Sequence, residues 1–212
     1  MAGTTRTIHL PSTRPTTPAL WLTETRLTDA DSIFNILTCP NSGPKIYRLT
    51  GTIPNPYSLE NAHTFLQTMA DRHAANERVT TFAVRLDGET SPLVGVVGLR
   101  TVVLDLQGEG GAISRAVAEG VLTREIDGGK AVEIGYWIDG DLEGKGIGTR
   151  IATEAVRIAR EEMNMQVVGC CFEENAASAR VLAKSGLEYR GMVQGVKVRP
   201  EWGPRNLRVF MG

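Results

Sequence analysis

The stretch Asp141–Ala155, DLEGKGIGTRIATEA, sets Gly144, Gly146 and Gly148 at alternate positions around Lys145 and then turns helical. The first backbone N–H groups of a helix have no intrahelical partner, and the helix dipole adds positive character there. Such a start attracts anions, phosphate above all. Glycines at 144, 146 and 148 would let a pyrophosphate approach without Cβ contacts, while Lys145 adds a point charge and Thr149 a hydroxyl. The competing reading is a strand-to-helix turn that binds nothing, for which one glycine suffices. Two common phosphate loops fail on spacing. A nucleotide P-loop requires G-x-x-x-x-G-K-[ST]; here Gly140 to Gly144 is one residue short, and Gly146 follows Lys145 where Ser or Thr should hold magnesium. A dinucleotide fingerprint opens directly after its strand, but Asp139–Glu143 intervenes here and no repeating βαβ pattern surrounds it.

Other reactive side chains form no set. His9, His63 and His73 are too scattered for a metal site and read as exposed polar residues, so no metal is expected. Cys170 and Cys171 sit inside an apolar run, where a core role competes with the electropositive, open setting that a nucleophile wants.

The elements around the loop follow from periodicity. AVEIGYWID alternates, with Val132, Ile134, Tyr136 and Ile138 on one side and Glu133, Gly135 and Trp137 on the other. After the glycines, Ile147, Ile151, Ala155, Ala159 and Met163 recur every four residues on a helix whose outer face carries Arg150, Glu154, Arg157 and Glu161. MQVVGCCF reads as a buried strand, NAASARVLAKSG as a short helix stopped at Gly186, and LEYRGMVQGVKV and NLRVFM as two last strands. Upstream, ALWLTET, VTTFAVRL and LVGVVGLRTVVL are strand candidates. LTDADSIFNIL is a helix with Thr28 as its cap, and SLENAHTFLQTMADRHAAN a helix capped by Ser58 with Leu59, Ala62, Phe65, Leu66 and Met69 on its apolar face. The proline-rich CPNSGPKIYRLTGTIPNPY between them reads as a loop. Residues 1–18, rich in Thr and Pro, read as an extended arm, which if ordered must lie on its own domain or on a neighbouring chain. Residues 105–130 read as an inserted loop with a short helix around ISRAVAEGVL. Strands and helices mix with hairpins, which implies an α/β or α+β domain on one mixed sheet, residues 19–212.

Composition sets the outer limits. With 212 residues, 42% of them hydrophobic, the chain can bury one core. A net charge of −1 without a basic stripe speaks against a nucleic-acid partner. No apolar run reaches the roughly 20 residues that span a membrane. Three cysteines suit a reducing compartment, so the cytoplasm is expected.

Taken together, EIGYWIDGDLEGKGIGTRIATEAV and CFEENAASARVLAKSGLEYRG resemble the GNAT superfamily of acetyl-CoA-dependent N-acetyltransferases. Within it they are most similar to the RimJ/RimL-like ribosomal-protein N-terminal acetyltransferases. The resemblance extends from about Leu20 to Phe210. It implies a mostly antiparallel sheet whose central parallel strands, VEIGYWI and QVVGCCF, splay apart to admit the pantetheine arm of acetyl-CoA. The contact set it implies is Trp137 and Ile138 on the first of those strands, then Gly144, Lys145, Gly146, Ile147, Gly148 and Thr149 at the pyrophosphate, with Asn175 and Ser178 from the following helix. Trp137 is equally readable as a core or sheet-face residue.

The chain departs from the family in four places, one of them the conservative Leu187 where Phe is commoner. Glu143 stands where Arg, Gln or an aromatic is usual, and is expected to turn to solvent. Leu182 occupies the place of a tyrosine general acid, and the 105–130 insert is long. Glu133 falls where relatives often carry a carboxylate. It reads either as the general base, acting directly or through water, or as a strand-end Glu paired with a neighbouring cation. A modest base suits an α-amine, with a pKa of about 7.7–8.0, better than a lysine at about 10.4. Tyr57 either contacts substrate or staples its loop to the domain.

The expected activity is direct acetyl transfer from acetyl-CoA to an amine, a small molecule or a peptide N-terminus, in a ternary complex, with a homodimer as a further possibility. A catalytically silent acyl-CoA sensor of the same fold is the alternative, and a nucleotide-binding regulatory domain a third. Calorimetric titration separates the third from the others: acetyl-CoA is expected to bind and ATP is not, and the reverse result would remove both acyl-CoA readings.

Overall fold

The computed structural model describes residues 6–15, 17–75, 78, 80–103, 116 and 130–212. In chain order they form β1 (Thr7–Leu10), β2 (Leu20–Glu24), α1 (Ala30–Thr38), α2 (Gly43–Leu49), α3 (Leu59–Ala74), β3 (Thr81–Arg85), β4 (Leu93–Val103), β5 (Lys130–Ile138), α4 (Ile147–Arg157), β6 (Val167–Phe172), α5 (Ala176–Lys184), β7 (Glu188–Val196) and β8 (Arg205–Met211). The strands lie in one eight-stranded sheet in the order β1-β2-β3-β4-β5-β6-β8-β7. Pairs β1–β2, β2–β3, β3–β4, β6–β8 and β7–β8 are antiparallel, and β5–β6 is parallel. The parallel ladder holds Val132↔Val167 and Glu133↔Val168 and ends there, although β5 continues to Ile138 and β6 to Phe172. This is the mixed sheet with splayed parallel strands that the sequence motifs imply. Two compact units divide the chain: Met1–Gly98 with Tyr136–Ile151, and Leu99–Gly135 with Ala152–Gly212.

In the first unit, α1 and α3 lay Ile33, Leu37, Ala62 and Leu66 over Ala83 of β3 and Leu93 and Val96 of β4. A charged pair lies buried in the same unit. Arg85, 1% exposed, donates from Nη1 and Nη2 to the two oxygens of Asp29 at 2.8 Å each. Its Nε donates to Thr23 Oγ1 at 2.8 Å and Nη1 also to Ser91 O at 2.8 Å. Asp29 in turn accepts the Arg26 N–H at 2.8 Å. With every group paired, the ion pair fixes β2, β3 and the turn before α1 to one another.

That arrangement displaces the expected Thr28 cap. Leu27–Asp29 forms a 3₁₀ turn and α1 starts at Ala30, because the Asp29 carboxylate is drawn to Arg85 and Arg26 rather than to the helix end. Two further expectations change in this unit. The proline-rich loop contains α2, with Pro44 in its first turn, where a missing N–H costs nothing, and Ile46 in the core. Leu59 is exposed, whereas Ala62 and Leu66 of the same expected face are buried. The Ser58 cap is present: Ser58 Oγ accepts the Asn61 N–H at 3.1 Å, and Asn61 Oδ1 accepts the Ser58 N–H at 2.9 Å. Part of the segment read as an arm is β1, in register with β2 from Thr7↔Thr23 to Leu10↔Leu20, so its order needs no second chain.

The second unit packs Val168 and Phe172 of β6 with Val193 of β7 and Leu207, Val209 and Met211 of β8. Of the expected insert, Ala116 is described, helical and buried in this core, and Lys130 opens β5; the rest lies outside the described residues. A strict four-residue stripe overshoots the 3.6-residue turn and would drift around a helix. After Arg157 the chain winds into a π turn, Ile158–Glu162, closed by the Met163 N–H to Ile158 O at 3.1 Å. The wider turn absorbs the drift and keeps Ile158 and Ala159 buried with Ala155.

Among the described residues no helix is long and apolar enough to cross a membrane, and no group of three His, Cys, Asp or Glu could hold a metal ion. Replacing Asp29 by Ala strands the Arg85 guanidinium in the core and is expected to lower unfolding stability by about 3–5 kcal/mol, read from urea denaturation.

Candidate active site

The glycine loop belongs to the first unit and is held on both flanks. On the entry side β5 delivers Trp137, Ile138 and Asp139 to β4. The Asp139 N–H donates to Val94 O at 2.9 Å, and a Cβ on Gly95 would lie 2.6 Å from Trp137 O. Gly95 is therefore required where β5 meets β4, a constraint that nothing local in LVGVVG discloses. Trp137 packs against the α1–α3 core, in line with one of the two roles read for it, the other being a coenzyme contact.

The chain then makes a 3₁₀ turn, Gly140–Leu142, and α2 reaches it from across the unit. Ser42 Oγ, fully buried, donates to Asp139 Oδ1 at 2.7 Å and accepts the Gly140 N–H at 2.9 Å. One turn along α2, Lys45 pairs with Glu143. The departure at Glu143 is thus explained. Its carboxylate, 44% exposed, points to a lysine of α2 instead of standing alone in solvent.

Gly144 and Gly146 both have φ of 76°, the left-handed region that glycine adopts without strain. Added Cβ atoms there would meet nothing within 4 Å, so the backbone of Gly144–Gly146 faces open space. α4 starts at Ile147, which is fully buried and anchors the helix, with Gly148 and Thr149 in its first turn. The Arg150 N–H donates to Gly146 O at 3.2 Å and closes that turn. The earlier amides belong to the set that a helix leaves without intrahelical partners. Arg150, expected on the outer face, is half-buried, and burial lowers its pKa. Its guanidinium donates to the carbonyls of Leu10, Pro11 and Pro18.

The remaining expected residues belong to the second unit. Glu133 forms an ion pair with Arg100, the pairing anticipated for a strand-end carboxylate. Asn175 caps α5, its Oδ1 accepting the Ser178 N–H at 3.0 Å. That leaves the amide NH₂ as its donor end. Ser178 hydrogen-bonds the Cys171 thiol, which burial pushes up to about 11. Burial, then the charge of Glu133, also raises the Cys170 thiol. Both cysteines are therefore thiols at neutral pH, unsuited to nucleophilic attack. Leu182 is buried against Gly169, so core packing fills the tyrosine position. Tyr57 packs on the α1–α3 core and burial raises its phenol to about 12, which fits the staple.

Residues 19–188 match the model of the acetyltransferase (GNAT) domain, and the chain belongs to that family. None of the curated proteins compared matches it in sequence. Solved structures show the same fold at low identity. A GNAT acetyltransferase from Bacillus anthracis superposes with a TM-score of 0.67 at 15% identity, over 97% of this chain and 98% of the other. RimJ of Mycobacterium smegmatis, in complex with CoA-disulfide, gives 0.66 at 17%, over 98% and 87%. RimL, a ribosomal alpha-N-protein acetyltransferase in complex with coenzyme A, gives 0.66 at 13%, over 97% of each chain.

Ser42, Lys45 and Arg150 were not legible as parts of the site. Their partners lie 97, 98 and 132–140 residues away, beyond any local pattern. The unusual Glu143 was the one signal that pointed to a missing cation. Ser42→Ala removes the partner of the part-buried Gly140 N–H and one of the hydrogen bonds to Asp139, and is expected to cost about 1–3 kcal/mol. Lys45→Ala, at an exposed pair, should cost less than about 1 kcal/mol. Urea unfolding of the two variants checks the order.

Proposed function

We propose that the protein transfers an acetyl group from acetyl-CoA directly to an amine, an α-amine of a peptide or a small molecule. The open, left-handed backbone of Gly144–Gly146 at the start of α4 is the observation that carries this reading. Amides of Gly144–Thr149 would hold the pyrophosphate, aided by the exposed Lys145. The parallel ladder pairs β5 no further than Glu133, and the later backbone groups on that edge, Ile138 among them, would then be open to the pantetheine arm, with Trp137 beside them. Asn175 and Ser178 would complete the coenzyme contacts.

Glu133 is proposed as the base that takes the proton from the amine as its nitrogen attacks the thioester carbonyl. The thiolate of CoA leaves as the acyl group passes to nitrogen, and with Leu182 in the core its proton would come from water or from the acceptor itself. Arg100 would hold the Glu133 carboxylate ready. The buried Leu182 and the Glu133–Arg100 pair also favour a second reading, a coenzyme-binding sensor without turnover.

Release of free CoA thiol over a panel of peptide N-termini and small amines distinguishes the two. Turnover with an α-amine is expected, and Glu133→Gln should lower kcat by about 10²-fold or more. Tight acetyl-CoA binding with no release across the panel would leave the sensor. Turnover unaffected by Glu133→Gln would reduce Glu133 to an ion-pair partner.

A further inference from the structure

We infer that the β1–β2 connection is part of the coenzyme site, and that Arg150 is the positioning residue through which it sets the shape of the glycine loop. The inference rests on the assignment of that loop to the coenzyme.

The connection runs from Leu10 to Leu20, which face each other across the two strands. Its turn is knitted by its own side chains. Ser12 Oγ lies 2.7 Å from Arg14 O and 2.6 Å from Thr17 O. The Arg14 N–H donates to Thr17 Oγ1 at 3.0 Å, and the Thr17 N–H to Arg14 O at 3.0 Å. The carbonyls of Leu10 and Pro11 on one leg and Pro18 on the other converge on a single guanidinium. Arg150 Nη2 donates to Leu10 O at 2.7 Å and Pro11 O at 2.8 Å, and Nη1 donates to Pro18 O.

Arginine suits this position because its planar fork carries several rigidly placed donors and keeps its charge at any working pH. Pro11 has a fixed φ and no N–H, so that leg is stiff and presents an acceptor without competing for one. The same residue closes the first turn of α4 through its N–H to Gly146 O at 3.2 Å. Side chain and backbone of Arg150 therefore join the hairpin connection to the central glycine within four residues of sequence. Gly144 and Gly146 cannot fix their own conformation, since neither carries a side chain. A connection that holds Arg150 holds the amides that meet the pyrophosphate.

The test uses the full chain as wild type, Arg150→Ala, Arg150→Lys, the pair Ser12→Ala/Thr17→Ala, and that pair combined with Arg150→Ala. Calorimetric affinity for acetyl-CoA and amide hydrogen exchange across residues 144–149 are both measured. Arg150→Ala is expected to weaken acetyl-CoA by about tenfold or more. It should also speed exchange at 144–149 while leaving the α1–α3 core unchanged. Arg150→Lys should be intermediate, the loop pair should weaken binding as well, and the combined variant should be no worse than Arg150→Ala alone. Unchanged affinity and exchange in Arg150→Ala, or fully additive losses, would overturn the inference. If Arg150→Ala fails to fold, the loop pair decides, because it leaves α4 untouched: wild-type affinity and exchange there would equally overturn it. A wild-type chain that does not bind acetyl-CoA would instead refute the coenzyme assignment, and the exchange data alone would then show whether Arg150 orders the loop.

Discussion

A loop made of glycine cannot hold its own shape. At Gly144 and Gly146 the backbone is left-handed and open, which is what an approaching phosphate requires. The same lack of side chains gives the loop the largest conformational freedom to lose on folding. Everything that makes it a defined cradle must therefore come from outside it. Ser42 grips the turn before the glycines, Ile147 sinks the helix after them into the core, and Arg150 ties that helix to the β1–β2 connection. The rest of the first unit can be read as the support for these grips. Its buried Arg85–Asp29 pair locks β2 and β3 to the turn that launches α1, and α2, which carries Lys45 and is preceded by Ser42, follows α1 directly.

The acidic residues around the loop lose their oddity in this light. A carboxylate beside a phosphate site repels the ligand unless its charge is used elsewhere. Asp139 accepts from Ser42 and from the Asp141 N–H, which makes it a turn-forming residue. Glu143 is engaged by Lys45. The charges thus belong to the joint between α2 and the loop, and the amides of the helix start remain the cationic end. A family position that commonly carries a cation or an amide has been turned into a tether.

Features set by neighbours in sequence were legible. The Ser58 cap and the stripe from Ile147 to Ala159 rest on contacts within a few residues. The stripe even carried a misfit, a period of four, which the π turn resolves. Features set by distant partners were misread. Asp29 left its helix because Arg85 outbids a helix end for a carboxylate, and the proline-rich segment folded into α2 because Ile46 had a core to enter. Gly95 looked like an ordinary strand residue, although the backbone of β5 passes where its side chain would be.

What the sequence determined by itself was the chemistry on offer: a glycine-rich helix start with a lysine and a hydroxyl, a strand carrying one carboxylate, and an asparagine that caps the next helix. Those properties reside in residue type and short spacing, and two neighbouring motif blocks sufficed to place the protein in its family. Only the tertiary structure decided which groups were free to act. Glu133 met Arg100, Glu143 met Lys45, Leu182 filled the core, and Arg150 left the solvent face to clasp Leu10, Pro11 and Pro18. The physical reason is that an ionised or polar group takes its role from its partner, and a partner 33 to 140 residues away leaves no periodicity to read.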